Sequence, residues 1–447
     1  MANNEQIKTY TREIDNSQRM ENTVWNEVRR EHTQRSEHVA SGLYQAGAGK
    51  ILKQQVINTI NSAQQILVLS SFLFADEDIK QQLVRAASRG INVYMLMAAA
   101  GRLEQVPDGD SEFEKRVYED HKRMLNELSP YVYIRSADHF HAKVVLADPF
   151  SDSPSGVLLT ANLTTDALER NEELAVVLSP DQAREIASVL KCVFWEEAGH
   201  HAMDDRLSTI SGLNMIPAPG DLSGVYYNSN SANTLKDRVR TLIQHAEREI
   251  VISTFGIDEN HELFSLLLKK LEQGVRVKLF ARFRRGKMNA VFQALVNAGA
   301  EVYGFYWLHA KAFLIDGTTG FLMTANLEPH GMDSGFELGV DLSDADTLAL
   351  AELFTEWETK HQYRYHSTIK LGDLSDRYYQ YDSGRGQYDK KELKPYQELD
   401  PLRKRVNDAK GLDQSSDDFD SLLPKAKTAN ARRVKLTVEK VLLSDKT

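Results

Sequence analysis

The chain has 447 residues, of which 42% are hydrophobic and 26% charged, with a formal net charge of −10. That length exceeds one ordinary domain and that apolar share belongs to a folded globular chain, so two units plus extensions are expected. The single cysteine, Cys192, excludes an internal disulfide, no cluster of Cys and His has zinc-ligand spacing, and the acidic balance weighs against a protein that coats itself with nucleic acid.

The N-terminus lacks a basic start followed by an apolar stretch, so no secretion signal is read and a cytoplasmic location is expected. The longest apolar runs, at 66–75 and 91–100, are too short to span a bilayer. Residues 1–40 are polar and charged and read as a helical extension. A first half follows over 41–202, opening on Ser41-Gly42-Leu43-Tyr44. Its pattern predicts a helix over 50–64, a strand over 67–72, an amphipathic helix ended by Gly90, and a strand over 91–97. Near its end, Cys192 falls in a helix as a buried, inert thiol.

Residues 203–222, with Pro217, Pro219 and Gly220, read as a linker. The second half, 223–362, repeats the order: Ser223-Gly224-Val225-Tyr226, a helix over 235–248, a strand over 250–255, a helix ended by Gly274, and a strand over 275–281. Alternation of strands and helices over this length predicts layered α/β units with a largely parallel, buried sheet. In each half a closing helix carries core aromatics, around Phe194-Trp195 and Phe354-Thr355-Glu356-Trp357. The C-terminal extension, 363–447, reads as irregular, with a polar break at 414–418 and an alternating, strand-like run at 431–438.

One constellation occurs in both halves. The first copy is His141-Ala142-Lys143, Asp148, Thr160-Ala161-Asn162-Leu163 and Glu173. The second is His309-Ala310-Lys311, Asp316, Thr324-Ala325-Asn326-Leu327 and Glu337. Asp and Asn are ten positions apart in the second copy and fourteen in the first, the extra four falling in the turn-forming run 149–155. Apolar runs at 144–147 and 312–315 follow the His-x-Lys pairs, so each pair is read as opening a strand with both side chains on one face. A second strand, 157–159 or 321–323, would deliver the Asn.

Two imidazoles, two ammonium groups and two amides suit phosphoryl transfer without a metal. Lysines and amides can hold non-bridging phosphate oxygens. One neutral imidazole can attack phosphorus while the other, protonated, serves the leaving oxygen. Each glutamate could bond a histidine ring nitrogen and fix its tautomer.

At these residues, across roughly 41–362, the chain closely resembles the phospholipase D superfamily, whose signature is HxKx4D followed by GSxN. The resemblance is to a nuclease-like, bacterial-type member. It implies two phospholipase D-like α/β/α sandwich halves related by pseudo-twofold symmetry, one site between them, no cofactor or metal, and a phosphohistidine intermediate. It implicates His141, Lys143, Asn162 and Glu173 with His309, Lys311, Asn326 and Glu337. By family analogy His141 is the nucleophile and His309 the general acid, an order the sequence does not decide, and Asp148 and Asp316 are structural. Leu159-Thr160 and Met323-Thr324 stand where the family has Gly-Ser; the Thr160 and Thr324 hydroxyls are read as phosphate contacts.

Substrate is less legible. Arg282, Arg284, Arg285 and Lys287 surround Phe283 and read either as a track for a nucleic-acid backbone or as a solvated basic loop. His139 and Trp307 hold equivalent offsets before His141 and His309 and could line the pocket or simply pack. With no membrane span or amphipathic anchor in view, the leading expectation is a metal-independent nuclease on DNA or RNA. The alternative is a phospholipase D or cardiolipin synthase-like lipid phosphatidyltransferase, and the third reading a non-catalytic binding module. Nucleic acid is the expected partner and phospholipid the alternative. Oligomeric state, and any ATPase or helicase that feeds substrate, lie beyond the sequence.

Overall fold

The computed structural model describes residues 19–20, 23–30, 41–47, 49–98, 112–203, 206–212, 216, 219–220, 222–229, 232–283, 285–370 and 373–392. The chain divides into two compact units, one of Glu31–Phe283 with Ala290–Gln362, the other of Met1–Arg30, Arg284–Asn289 and Tyr363–Thr447. The runs at 414–418 and 431–438 and the linker's Pro217 lie outside the described residues.

In the larger unit the apolar runs of each repeat form strands buried on both faces. Ile66–Ser71, Asn92–Ala98 and Tyr133–Ala137 pair in parallel. Glu249–Thr254, Arg276–Arg282 and Glu301–Phe305 do the same in the second half. The expectation of a largely parallel sheet is corrected beyond these trios. Val144–Ala147 and Ser155–Leu159 continue the first sheet antiparallel, and Leu174–Val177 then Leu43–Gln45 close it, also antiparallel. Ala312–Ile315, Thr319–Met323, Glu337–Asp341 and Val225–Ser229 repeat this arrangement. For the strand after each His-x-Lys and the one that follows it, the cause is connection length: the chain returns through a short turn, which permits a hairpin and excludes a parallel crossover.

Helices Ile51–Ser62 and Thr234–His245 lie where the periodicity places them. Helix Glu77–Ser88 begins on Asp76, whose carboxylate accepts from Ile79 N at 3.0 Å. Gly90 and Gly274 follow their helices at φ +87° and +86°, a left-handed turn that a side chain would strain. One apolar core runs through both halves, joining Leu158, Leu174 and Phe194 of the first to Phe280, Leu338 and Trp357 of the second. The closing helices Pro180–Cys192 and Asp344–Lys360 tie across it: Gln182 Nε2 donates to Asp341 O at 3.0 Å, and Gly42 N donates to Asp346 Oδ1 at 2.6 Å. Cys192 is buried and burial pushes its thiol pKa up, as suits an inert residue.

The smaller unit corrects two expectations. In the stretch read as helical, Val24–Glu27 is a strand, paired antiparallel with Tyr363–His366 on one side and Arg377–Asp382 on the other. The stretch read as irregular supplies these strands and Gln387–Glu392 beside them. Burial decides the conformation. Trp25 is fully enclosed with its ring edge-on to Tyr365 at 5.1 Å, and Tyr365 and Tyr388 donate to Asn289 Oδ1 at 3.0 and 2.7 Å. Local polarity did not signal Val24–Glu27, because its partners lie more than three hundred residues away, whereas Arg377–Asp382 and Gln387–Glu392 form a local hairpin.

Asp148 and Asp316 show how the motif is framed. Each sits in the left-handed region, at φ +46° and +53°. Asp148 accepts from the backbone N of Gln64, Gln65 and Ile66 at 2.6, 2.8 and 2.8 Å. Asp316 accepts from Glu247, Arg248 and Glu249 at 2.9, 2.7 and 2.8 Å. Each carboxylate thus anchors the start of the strand beside its own hairpin. Removing one leaves three amides to find water, so Asp148→Ala or Asp316→Ala is expected to lower stability by about 1–3 kcal/mol, read from the urea midpoint. An unchanged midpoint would refute this framing role.

Candidate active site

The two His-x-Lys segments sit just before their strands rather than within them, because their backbone bonds across to the other half. His141 N donates to Phe336 O at 2.9 Å, and Phe336 N returns a bond to His139 O at 2.8 Å. His309 N donates to Glu172 O at 3.0 Å, and Glu172 N to Trp307 O at 3.2 Å. Phe140 stacks on Phe336 at 4.8 Å beneath one of these clasps. The intervening Ala142 and Ala310 are buried, their carbonyls accepting from Ser70 Oγ at 3.2 Å and Ser253 Oγ at 2.9 Å.

The glutamates cross. His141 Nδ1 lies 2.8 Å from Glu337 Oε1, and His309 Nδ1 lies 2.7 Å from Glu173 Oε1. Each histidine is therefore oriented by the carboxylate of the opposite repeat. A carboxylate only accepts, so Nδ1 carries the hydrogen and Nε2 keeps a lone pair. The second oxygen of each glutamate accepts from a threonine, Thr160 to Glu173 at 2.6 Å and Thr324 to Glu337 at 2.5 Å. Both hydroxyls are fully buried and also accept from Leu174 N and Leu338 N. This corrects their reading as phosphate contacts: buried behind the carboxylates, they hold the groups that hold the histidines.

Lys143 and Lys311 are 0% exposed, and each ammonium donates to the carbonyl of the histidine two residues before it, at 2.5 Å in both halves. Burial pushes His141 and His309 down to about 4, and the lysines of both halves add to that against the pull of the glutamates. Burial likewise brings Lys143 down to about 7. Burial alone would raise Glu173 and Glu337, but their histidine partners, the lysines and the threonine bonds hold both below the ordinary carboxylate range. At neutral pH the site thus contains two neutral imidazoles and two carboxylates. Each lysine's field reaches the other half's histidine, so the half-sites form one electrostatic unit.

Asn162 and Asn326 each bury a side-chain oxygen that has no hydrogen-bond partner among the described residues. A half-turn of either amide would put an N–H donor there instead. Asn326 Nδ2 is 3.4 Å from Glu328 Oε2.

The other predicted residues divide. Trp307 joins the site's rim, with the Arg170 guanidinium 4.2 Å and that of Arg282 5.1 Å from its ring centre. His139, exposed and at φ +59°, lies with its ring 5.7 Å from His330. Arg284 lies outside the described residues, and Arg285 and Lys287 belong to the smaller unit, so of the basic run Arg282 is the cation assigned to the larger unit. Three residues escaped the sequence reading. Phe72 and Phe255 meet His141 and His309 edge-on at 5.3 and 4.9 Å. Their signal was present: each directly follows the matching strand of its repeat. Arg170 carried no such signal.

A family model described as "Cardiolipin synthase, PLD-like domain" matches residues 56–197 and 239–358, more than half of the chain. The chain belongs to the phospholipase D superfamily. It is a phosphodiesterase of that superfamily, built from two PLD-like halves. Among its relatives, a cardiolipin synthase of Clostridium perfringens is 21% identical over 333 residues, covering 68% of this chain and 67% of the relative. Cardiolipin synthase B of Escherichia coli K12 is 22% identical over 318 residues, covering 65% and 73%. The crystal structure of phosphatidylserine synthase from Haemophilus influenzae shares the fold, with a TM-score of 0.55 at 13% identity, covering 78% of this chain and 90% of that one.

The charge states of this PLD-like site set its pH response. Below about 4 both imidazoles are protonated, and above about 7 the Lys143 charge is lost. For phosphodiester turnover that needs one imidazole neutral and the other protonated, kcat/KM is expected to be greatest near the lower limit and to fall as pH rises, more steeply past the upper one, since that ratio reports the free enzyme. An acid limb centred near 6.5, the ordinary histidine value, would contradict the buried, neutral state.

Proposed function

We propose that this protein transfers or hydrolyses the phosphodiester of a phospholipid headgroup, as a cardiolipin synthase-like phosphatidyltransferase acting through a phosphohistidine. The observation that carries the chemistry is the crossed pairing, which leaves two imidazole Nε2 atoms unprotonated, one in each half-site. Lipid as substrate is favoured by the relatives named cardiolipin synthases, which align across both halves. The nuclease reading rests on the basic run at 282–287 and on the lack of a membrane anchor. Among the described residues no helix is long and apolar enough to cross a membrane, but an enzyme can reach a lipid headgroup from the bilayer surface.

In the first step His141 Nε2 attacks phosphorus. A nitrogen–phosphorus bond forms, the bond to the headgroup alkoxide breaks, and that alkoxide takes a proton from His309 Nε2. The apo pKa of His309 is low, so the proton it needs is recruited with the substrate, whose phosphate anion favours the imidazolium. In the second step an alcohol, or water, gives its proton to His309 and attacks phosphorus, and the nitrogen–phosphorus bond breaks. Lys143, Lys311, Asn162 and Asn326 hold the non-bridging oxygens through both steps. Glu337 and Glu173 fix the tautomers and steady the imidazolium when it forms.

The test supplies phosphatidylglycerol in mixed micelles, and separately single- and double-stranded DNA and RNA, all in EDTA. Headgroup release or transfer from the lipid is expected, lost by a factor of about 10³ or more in His141→Ala and in His309→Ala. Acid-labile, alkali-stable phosphate should be trapped on His141. Cleavage of nucleic acid without lipid turnover would overturn the lipid assignment, and a phosphate trapped on His309 instead would reverse the two histidines.

A further inference from the structure

The centre of the site is nearly symmetric; its rim is not. On the His309 side, Trp307 has the Arg170 guanidinium at 4.2 Å and the Arg282 guanidinium at 5.1 Å from its ring centre. Arg282 also lies 5.4 Å from the ring centre of Phe255, which in turn packs on His309. Two guanidinium groups and the imidazole are thereby joined through two aromatic rings. The positions are set from both halves. Arg282 ends its strand, and Trp307 is pinned by its backbone bond to Glu172. Arg170 caps the helix Thr165–Glu169, which Lys53 anchors by bonding both Glu169 at 2.8 Å and Asp76 at 2.9 Å. Asp166 steers the Arg170 head at 3.0 Å.

On the His141 side the same places are uncharged or titratable. Ala98 ends the strand that matches Arg282's, and Ser334 stands three residues before Glu337 as Arg170 stands three before Glu173. His139 replaces Trp307. Among the described residues, the extra positive charge of Arg170 and Arg282 therefore lies at one end of the reaction axis. Arginine against aromatic faces presents its in-plane N–H edge to oxyanions, which suits a phosphate better than it suits a neutral hydroxyl.

We propose that Arg170, Trp307 and Arg282 form a specificity subsite for a second phosphate, one carried by the alcohol that leaves or enters on the His309 side. This rests on the phosphatidyltransferase reading with His309 as acid and then base. Because the same imidazole gives and takes the proton, the departing and the arriving alcohol occupy the same side of phosphorus. A phosphate group on that alcohol, whether of a soluble phosphorylated alcohol or of a phospholipid headgroup, meets the two guanidinium groups. A neutral alcohol does not use them.

The experiment measures transfer to labelled glycerol, sn-glycerol 3-phosphate and phosphatidylglycerol at fixed donor, in the full chain and in Arg170→Gln, Arg282→Gln and the matching Lys variants. Wild type should prefer the phosphate-bearing acceptors. Each Gln variant should cut that preference about tenfold, the scale of one charged hydrogen bond, with the Lys variants intermediate. A preference for phosphatidylglycerol alone would place the subsite's ligand on the lipid, and one shared with glycerol 3-phosphate would place it on the phosphate itself. Equilibrium binding of glycerol 3-phosphate to the same folded variants, against glycerol as control, gives a readout that needs no turnover. If preference and binding are both unaltered in the Gln variants, the subsite is refuted. If glycerol 3-phosphate binding is lost in them while no lipid turns over in wild type, the subsite stands and the transferase reading falls.

Discussion

Two buried carboxylates set the terms for this structure. Glu173 and Glu337 lie in the apolar interior, where an unpaired charge would cost several kcal/mol. Each finds its partners in a threonine of its own repeat and a histidine of the other. Neither half can satisfy its glutamate alone, so packing of the halves and assembly of the site are a single event. The shared core and the reciprocal backbone bonds at Phe336 and Glu172 have the same consequence: the geometry of one half is completed by residues of the other.

Burial then sets the chemistry. The desolvation that would destabilise a free imidazolium keeps both histidines neutral, and it brings Lys143 far below an ordinary ammonium. Such a site is poor in protons until an anion arrives. A phosphodiester supplies that anion, and the response it induces, one imidazolium opposite one neutral imidazole, is the state that acid–base chemistry at phosphorus requires.

Near-symmetry poses a problem that the rim addresses. Two histidines with matched glutamates, lysines and aromatic neighbours have little reason to adopt different roles. The asymmetry lies outside them, in Arg170, Arg282 and Trp307 on one side and His139 with His330 on the other. A duplicated unit can thus keep its reactive centre common to both copies while direction and selectivity are written at the edge.

The duplicated spacing of His, Lys and Glu was enough to mark residues that now stand together, and with Asn to name the superfamily, because side-chain identity and order along the chain carry that information directly. Helix ends at Gly90 and Gly274 and the alternating strands were legible for the same reason: they depend on residues a few positions apart. What depends on packing was not legible. Which glutamate serves which histidine spans 196 and 136 positions, the threonines turn inward instead of toward substrate, and Val24–Glu27 is a strand only because distant strands flank it. Arg170 meets Trp307 only across the join between the halves. Local propensity acts over a few residues, while hydrogen-bond partners and desolvation are properties of the assembled core, so the sequence alone could determine the reacting groups and only the tertiary structure could decide their pairing, their charge and their orientation.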